Sequence, residues 1–222
     1  LPGYEEGLFF NQDLGAQVAA SLLLPAEGSL LDVGSAPGGK LMFLAPFLDM
    51  KDVEALDISP QRIGRLSENL KRLRIPLPLL TTRDFLKFEP GRLYQRIFLD
   101  VPCSGLGVLA KKGDIAYRLT PSELDSLKSV QQNFLEKALT LLAPGGEMVY
   151  STCTINREEN EQQIEKFLAR HSREIALTDP SGRKHLNRFP FRDIVFRQGV
   201  YQPLPPEFPG DGMFGAVMQR RA

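Results

Sequence analysis

Residues 29–40 read S-L-L-D-V-G-S-A-P-G-G-K, a short apolar run followed at once by a glycine-rich loop. Within it, Leu30, Leu31 and Val33 are apolar and predict a short buried strand over residues 30–33. The three glycines let the backbone turn sharply and approach a ligand closely, and the amides at the start of the next helix offer hydrogen-bond donors. The stretch therefore predicts the first strand and the ligand-binding loop of an α/β nucleotide-type site.

The spacing within this loop argues against two common phosphate-binding motifs. It matches neither G-x-G-x-x-G nor G-x-x-x-x-G-K-[ST], so a phosphate cradle is the weaker hypothesis. Asp57 ends the next strand-like run, residues 53–56, one strand–helix–strand unit further on. A carboxylate at that position can accept hydrogen bonds from ribose hydroxyls. The alternative interpretation is an aspartate in a surface turn.

The rest of the chain repeats the order strand, turn, helix. Helix caps such as Asp13 and Ser59, and apolar runs of strand length, place the boundaries. The predicted helices are 14–23, 41–47, 60–72, 121–142 and 157–170, and the predicted strands are 30–33, 53–56, 77–82, 96–99, 147–151 and 213–219. This alternation predicts an α/β fold, a mostly parallel sheet with helices on both faces. No linker divides residues 1–222, so we expect a single domain.

Bulk composition narrows the class of protein. The 222 residues include 27 basic and 27 acidic side chains, so a net charge of zero gives no whole-molecule attraction for nucleic acid. Two cysteines, without a secretory leader or a long apolar run, favour a soluble protein of the reducing cytoplasm with no membrane partner. His171 and His185 lack metal-ligand spacing, so no metal is expected. Leu1 is not an initiator methionine, which leaves open a separate N-terminal domain outside this chain.

Further side chains follow predicted strands at the edge where open α/β sheets bind ligands. Asp84 follows the strand 77–82 and is a candidate for hydrogen-bonding the base edge of a cofactor, or else an ordinary turn aspartate. Cys103 lies in D-V-P-C-S-G and Cys153 in S-T-C-T, and each follows the end of a strand. We therefore expect both cysteines to face one crevice.

Two thiols beside a glycine-rich cofactor loop suggest a particular chemistry. A thiolate can add to carbon-6 of an electron-poor pyrimidine ring, after which carbon-5 becomes nucleophilic. A structural disulfide is the main alternative, but proteins of the cytoplasm rarely keep one. The residues alone do not decide whether Cys103 or Cys153 is the nucleophile.

Beyond His171 the chain becomes rich in proline, arginine and phenylalanine. Interleaved cationic and aromatic side chains suit stacking on unpaired bases and contacts with phosphates. A solvated face with core phenylalanines is an equally good interpretation. The residues concerned are Arg183, Lys184, Arg188, Phe189, Phe191, Arg192, Phe196 and Arg197.

Three motifs together resemble one family. G-S-A-P-G-G-K at 34–40, D-V-P-C-S-G-L-G at 100–107 and Y-S-T-C-T-I-N-R-E-E-N-E at 150–161 are similar to the RNA 5-methylcytosine methyltransferases. More specifically, they resemble the bacterial Sun (Fmu) type that modifies small-subunit ribosomal RNA. The likeness runs from P-G-Y-E-E-G near the start to D-G-M-F-G-A at 211–216. Leu41, where the family usually carries Thr or Ser, and K-K-G-D-I at 111–115 depart from the pattern.

The resemblance implies a Rossmann-like fold that uses S-adenosylmethionine. Asp57 would hold the ribose of this cofactor, Asp84 would approach its adenine, and Asp100 would face its methionine end and the target cytosine. Cys153 matches the family's nucleophile, and Cys103 matches the thiol that helps to release the enzyme after methyl transfer. The loop residues that would wrap the cofactor are Gly34, Ser35, Ala36, Pro37, Gly38, Gly39 and Lys40.

Two rival functions remain open at this point. A DNA cytosine methyltransferase would use Cys103 as its nucleophile, but such enzymes normally carry a large recognition region for which this chain has no room. A catalytically idle RNA-binding assembly factor would use the cofactor fold as a platform, although two cysteines and three crevice aspartates argue against it. Zero net charge suggests that much of the RNA affinity comes from a separate N-terminal RNA-binding domain, a folded RNA surface or a ribosomal particle.

Overall fold

The computed structural model describes residues 1–188, 195–205 and 207–222. Its strands are β1 Leu30–Val33, β2 Val53–Asp57, β3 Leu79–Thr82, β4 Tyr94–Asp100, β5 Leu142–Thr152, β6 Ile175–Thr178, β7 Phe196–Arg197, β8 Val200–Tyr201 and β9 Phe214–Arg220. Its α-helices are α1 Leu14–Ser21, α2 Gly39–Leu44, α3 Pro60–Arg72, α4 Ile115–Arg118, α5 Pro121–Leu141 and α6 Glu161–His171. Short 3-10 turns connect several of them.

The strands form one sheet in the order β3-β2-β1-β4-β5-β9-β8-β7, and β6 also pairs with β9. The first five strands in this order are parallel, whereas β9 runs antiparallel to β5. Because β2 and β4 lie on opposite sides of β1, the strand order reverses there and a crevice opens at the carboxyl ends. The loops after β1, β2, β4 and β5 consequently lie along one edge of the sheet. The predicted mostly parallel sheet is confirmed.

The core lies on both faces of this sheet, because successive residues of a strand point to opposite sides. Leu30 belongs to a buried cluster with Val18 of α1 and Leu41 of α2, whereas Leu31 belongs to a second cluster with Leu135 of α5. Helices therefore cover both faces, as predicted. Leu41, which departs from the family pattern, is fully buried and serves as a core residue.

Several boundaries differ from the sequence prediction; for example, α2 is Gly39–Leu44 rather than 41–47, and β3 begins at Leu79 rather than at residue 77. Helix α1 ends at Ser21, two residues early. Strand β5 begins at Leu142, because residues 143–146 form an irregularity inside the strand, where its pairing with β4 shifts register, rather than a turn before it. Helix α6 begins at Glu161, because residues 157–160 form turns that join the loop after β5.

The arginine- and phenylalanine-rich stretch beyond His171 is only partly within the described residues. Phe189, Phe191 and Arg192 lie outside the described residues. Arg183 forms an ion pair with Glu147 at 2.6 Å and donates to backbone carbonyls before β1. Phe196 packs on the ring of Tyr201. Arg183 and Phe196 therefore make structural contacts within the fold, and the hypothesis that this stretch contacts RNA stays a prediction.

The described part of the chain also lacks two features of other protein classes. No helix in it is both long enough and apolar enough to cross a membrane. No group of three or more histidine, cysteine, aspartate and glutamate side chains in the same ranges could hold a metal ion.

Candidate active site

The loop after β1 turns at glycines whose backbone angles other residues rarely adopt. Gly34 has a φ of +75° and Gly38 a φ of +105°. A Cβ atom on Gly34 would lie 2.5 Å from the backbone oxygen of Asp100, and one on Gly38 would lie 2.4 Å from a methyl group of Leu66. The loop is therefore pressed against the end of β4 and against α3, an approach that glycine alone permits.

Two adjoining cavities open at the carboxyl edge of the sheet. The larger has a volume of about 510 Å³ and is lined in part by Gly34, Asp57, Asp84, Asp100, Cys103 and Cys153. The smaller has a volume of about 170 Å³ and is lined in part by Gly34, Ser35, Ala36, Pro37, Gly39, Lys40 and Asp100. Gly38 lines neither of these cavities, and its part is to form the turn. The structure thus brings the other predicted site residues together at one crevice.

The two cysteines are free thiols in direct contact, with their Sγ atoms 3.3 Å apart, so the disulfide alternative is not realised. The hydrogen bond from Cys103 lowers the pKa of Cys153 against the opposing effects of burial and of the negative charge of Asp100, and the positive charges of Lys40 and Lys112 also lower it. The same contact, together with burial, raises the pKa of Cys103 well above its ordinary value. The site therefore favours Cys153 as the thiolate.

A fully buried carboxylate, that of Glu159, lies behind the cysteines. Its Oε1 accepts hydrogen bonds from the backbone amide of Ser104 at 2.8 Å and from Nε2 of Gln131 at 3.0 Å. Its Oε2 accepts from the hydroxyl of Ser104 at 2.5 Å and from Nδ2 of Asn156 at 3.3 Å. Four donors therefore satisfy both oxygens of this buried group.

This network joins the two loops that carry the thiols. Ser104 follows Cys103, Thr154 follows Cys153, and the hydroxyl oxygens of Ser104 and Thr154 lie 2.8 Å apart. The amide of Gly107 also donates to the carbonyl of Cys153 at 3.0 Å. These contacts hold one thiol at a set position relative to the other.

Lys40 and Asp100 form an ion pair across the crevice, with Nζ 2.6 Å from Oδ2. Burial lowers the pKa of Lys40, but the charge of Asp100 and the hydrogen bond to it outweigh this effect and raise that pKa. Asp32, within β1, accepts a hydrogen bond from Ser35 at 2.6 Å. Burial nevertheless raises the pKa of Asp32 to about 6. Two carboxylates and one ammonium group therefore lie at the floor of the smaller cavity.

The segment 111–115, which departs from the family pattern, is anchored next to this crevice. Nζ of Lys111 lies 2.8 Å from carboxylate oxygens of both Asp13 and Asp211. Lys112 adds positive charge near Cys153. The segment thus ties the start of α1 to the loop before β9.

The strand order, the antiparallel strand beside β5, the glycine loop after β1 and the acidic residue that ends β2 define the Rossmann-like class of S-adenosylmethionine-dependent methyltransferases. S-Adenosylmethionine is the cofactor of this class. Within it, the chain belongs to the family of 16S rRNA methyltransferases RsmB/F, whose sequence model matches residues 20–219.

Individual relatives agree with this assignment. The ribosomal RNA small subunit methyltransferase B of Vibrio vulnificus is 34% identical over 225 residues, a match that covers 100% of this chain and 49% of that protein. The probable ribosomal RNA small subunit methyltransferase B of Synechocystis is 35% identical over 229 residues, a match that covers 99% of this chain and 49% of that protein. The structure of NSun6 from Pyrococcus horikoshii with SFG is similar with a TM-score of 0.84 and 28% identity, covering 100% of this chain and 56% of that one. The chain spans about half the length of the curated relatives it matches.

The larger cavity has features that fit an adenosine group. Oδ1 of Asp57 accepts from the amide of Ser59 at 3.0 Å, whereas its buried Oδ2 has no hydrogen-bond partner among the described residues, although Arg62 lies 3.4 Å away. A free, buried acceptor suits a ribose hydroxyl. Asp84 lines the same cavity, but its Oδ1 accepts from the amide of Leu86 at 3.0 Å, so it is also a turn aspartate.

The sequence prediction did not include Gln12 or Glu159 among the site residues. The predicted helix 157–170 placed residues 158–161 in its first turn, where the helix dipole stabilises acidic side chains. Because α6 begins at Glu161, Glu159 precedes the helix and its side chain reaches Ser104. The only feature of the sequence that pointed to Glu159 was its position in the motif at 150–161. No feature of the sequence pointed to Gln12.

Proposed function

We propose that this chain transfers a methyl group from S-adenosylmethionine to carbon-5 of a cytosine in RNA through a covalent adduct with Cys153. The observation that carries the proposal is the contact of the two thiols, 3.3 Å apart, in the cavity that also contains Asp57. The names of the curated relatives favour small-subunit ribosomal RNA as the substrate. A separate RNA-binding domain outside these residues is part of the proposal.

Cys153 starts the reaction as a thiolate, whose population its lowered pKa increases. Its sulfur bonds to carbon-6 of a cytosine that is unpaired or flipped out of a helix. The electron pair of the C5–C6 double bond moves into the ring toward N3, which takes up a proton. Asp100, held in place by Lys40, stabilises this protonated ring. S-Adenosylmethionine, when bound, would supply the electrophilic methyl group that carbon-5 attacks; its sulfur would keep the electron pair of the broken S–CH3 bond, and S-adenosylhomocysteine would be left.

Release of the product requires loss of the carbon-5 proton to a base. The electron pair of the broken C–H bond re-forms the C5–C6 double bond and expels Cys153 as a thiolate, and N3 gives up the proton that it gained in the first step. Cys103 assists this step, because its thiol lies in hydrogen-bonding contact with the leaving sulfur. Its raised pKa keeps it protonated and able to donate at neutral pH.

The test is a denaturing gel of the unaltered protein, Cys103→Ala and Cys153→Ala, each incubated with S-adenosylmethionine and labelled, unmodified ribosomal RNA or small-subunit particles. Cys103→Ala should accumulate a gel-stable protein–RNA adduct, because release is impaired. Cys153→Ala should give neither adduct nor 5-methylcytosine.

Three other outcomes would contradict the proposal in different ways. The reverse pattern would make Cys103 the nucleophile, as in DNA cytosine methyltransferases. Methyl transfer that survives both substitutions would exclude the covalent mechanism. Cofactor binding without turnover on any RNA would favour the idle assembly factor.

A further inference from the structure

The smaller cavity extends beyond the predicted cofactor loop to the segment that precedes α1. Besides the loop, its lining includes Gln12, Ala16, Asp32 and Asp100. It shares Gly34 and Asp100 with the larger cavity, so the two adjoin. Its volume of about 170 Å³ corresponds to on the order of five water molecules. The cavity is therefore large enough for a small polar group.

The side-chain amide of Gln12 is an unusual feature of this cavity. Both Oε1 and Nε2 are buried, and neither has a hydrogen-bond partner in the described part of the chain. The residue is nevertheless held in place, because its backbone carbonyl accepts from Nε2 of Gln17 at 3.2 Å. A Cβ atom built on Gly39 would lie 3.7 Å from Nε2 of Gln12, so the amide lies over the start of α2. A buried donor and acceptor that both lack partners are costly and call for a ligand.

The charges around this cavity narrow the chemistry of that ligand. Asp32 and Asp100 contribute two carboxylates and Lys40 contributes one ammonium group, so one negative charge is in excess when all three are ionised. An excess carboxylate favours a cationic group, and a free amide favours a ligand that both accepts and donates. An α-amino-acid group has these properties, since it carries an ammonium and a carboxylate on one carbon.

We propose that the side chain of Gln12 binds the α-amino-acid end of S-adenosylmethionine, with Nε2 donating to its carboxylate and Oε1 accepting from its ammonium group. The segment before α1 is then part of the cofactor site. The proposal rests on the cofactor of this class and does not depend on which base is methylated.

Two ligands that differ at this end separate the proposal from a general structural role. S-Adenosylhomocysteine carries the α-amino-acid group, whereas 5′-methylthioadenosine lacks it. Isothermal titration should show that Gln12→Ala weakens binding of S-adenosylhomocysteine about 10-fold or more and changes that of methylthioadenosine less than about 2-fold. Gln12→Glu should also weaken the first ligand, because it places a negative charge against the ligand carboxylate. Thermal unfolding of Gln12→Ala without ligand should remain close to that of the unaltered protein, since no hydrogen bond of the fold is lost.

Asn11→Ala is the matched control, because Asn11 is the exposed neighbour and lies outside the cavity lining. It should bind both ligands like the unaltered protein. Equal losses for the two ligands in Gln12→Ala, or no loss for either, would overturn the proposal. A higher KM for RNA with unchanged affinity for S-adenosylhomocysteine would also overturn it, because Gln12 would then face the RNA. Failure of RNA methylation alone would leave these affinities unaltered, so it tests only the proposed function.

Discussion

The two ends of the crevice differ in how completely their polar groups are satisfied. At the cysteine end, which comprises Cys103, Cys153 and the network of Glu159, four donors satisfy a carboxylate that is fully buried, although Oε1 of Gln131, which belongs to this network, has no hydrogen-bond partner within the described ranges. At the cofactor end, which comprises Gln12, Asp32 and Asp57, three buried side-chain atoms of Gln12 and Asp57 have no hydrogen-bond partner within the described ranges.

This difference follows from what each end must do. In the proposed mechanism, Cys153 and Cys103 need a set separation before the substrate arrives, and the four hydrogen bonds to the Glu159 carboxylate supply it. A ligand pocket instead needs donors and acceptors that the protein leaves free. The hydrogen bonds of the fold therefore position the cysteine end, whereas we propose that the unpartnered groups of the cofactor end bind the cofactor.

Removal of Glu159 tests the cysteine end of the crevice and should have the largest effect on stability. Glu159→Ala leaves the backbone amide of Ser104 without an acceptor, removes one of the two acceptors of Nε2 of Gln131 and opens a cavity, so we expect the free energy of unfolding to fall by about 4 kcal/mol. Denaturant titration measures this loss. The control is Glu158→Ala, because Glu158 is exposed and pairs with Lys128 at the surface. It should cost less than about 1 kcal/mol, and equal losses in the two variants would contradict the comparison.

The charge of Asp32 should have the next largest effect. Its pKa is raised from 3.8 to about 6, so the folded protein holds this proton more tightly than the unfolded chain does. The contribution of Asp32 to stability is therefore full below pH 3.8 and falls as the pH rises to about 6, by roughly 3 kcal/mol in all. Unfolding measured from pH 4 to 8 should show this decline in the unaltered protein and not in Asp32→Asn. Parallel profiles for the two proteins would refute the assignment.

A smaller effect is expected at Asp57. Asp57→Asn keeps the acceptor for the amide of Ser59 but replaces Oδ2, which lies 3.4 Å from Arg62 and has no hydrogen-bond partner among the described residues, with a donor. The Kd for S-adenosylhomocysteine should rise about 30-fold, or about 2 kcal/mol, with little change in stability. Calorimetric titration gives the Kd, and Asp52→Asn, at an exposed position before β2, is the control. If both variants bind alike, the unpaired oxygen is not a cofactor contact.

The smallest effect concerns the contact between the thiols. Cys103→Ala removes the hydrogen bond that lowers the pKa of Cys153, so that pKa should rise. The pKa of Cys153 is measured from the rate of iodoacetamide alkylation as a function of pH, in the unaltered protein and in Cys103→Ala. Cys153→Ala, which retains Cys103, should react only at higher pH because burial raises the pKa of this thiol. An unchanged profile for Cys103→Ala would show that the contact does not tune Cys153.

The sequence by itself determined the architecture and the position of the crevice. The apolar run before the glycine loop, the caps at Asp13 and Ser59, and the alternation of strands with helices are local patterns. Each depends on residues within a few positions of one another, so it survives without knowledge of the fold. Asp57 and the two cysteines were found in the same way, because they follow strands directly.

Tertiary structure alone decided how the side chains combine. Cys103 and Cys153 are 50 positions apart, and Ser104 and Glu159 are 55 apart, so their contacts arise only when β4 and β5 pair. Burial likewise distinguishes Glu159 from its acidic neighbours and leaves the amide of Gln12 without a partner among the described residues. No local sequence pattern predicts that burial. Short-range spacing encodes the elements, but the protonation and free hydrogen-bonding capacity of a site are set by packing between elements distant in the chain.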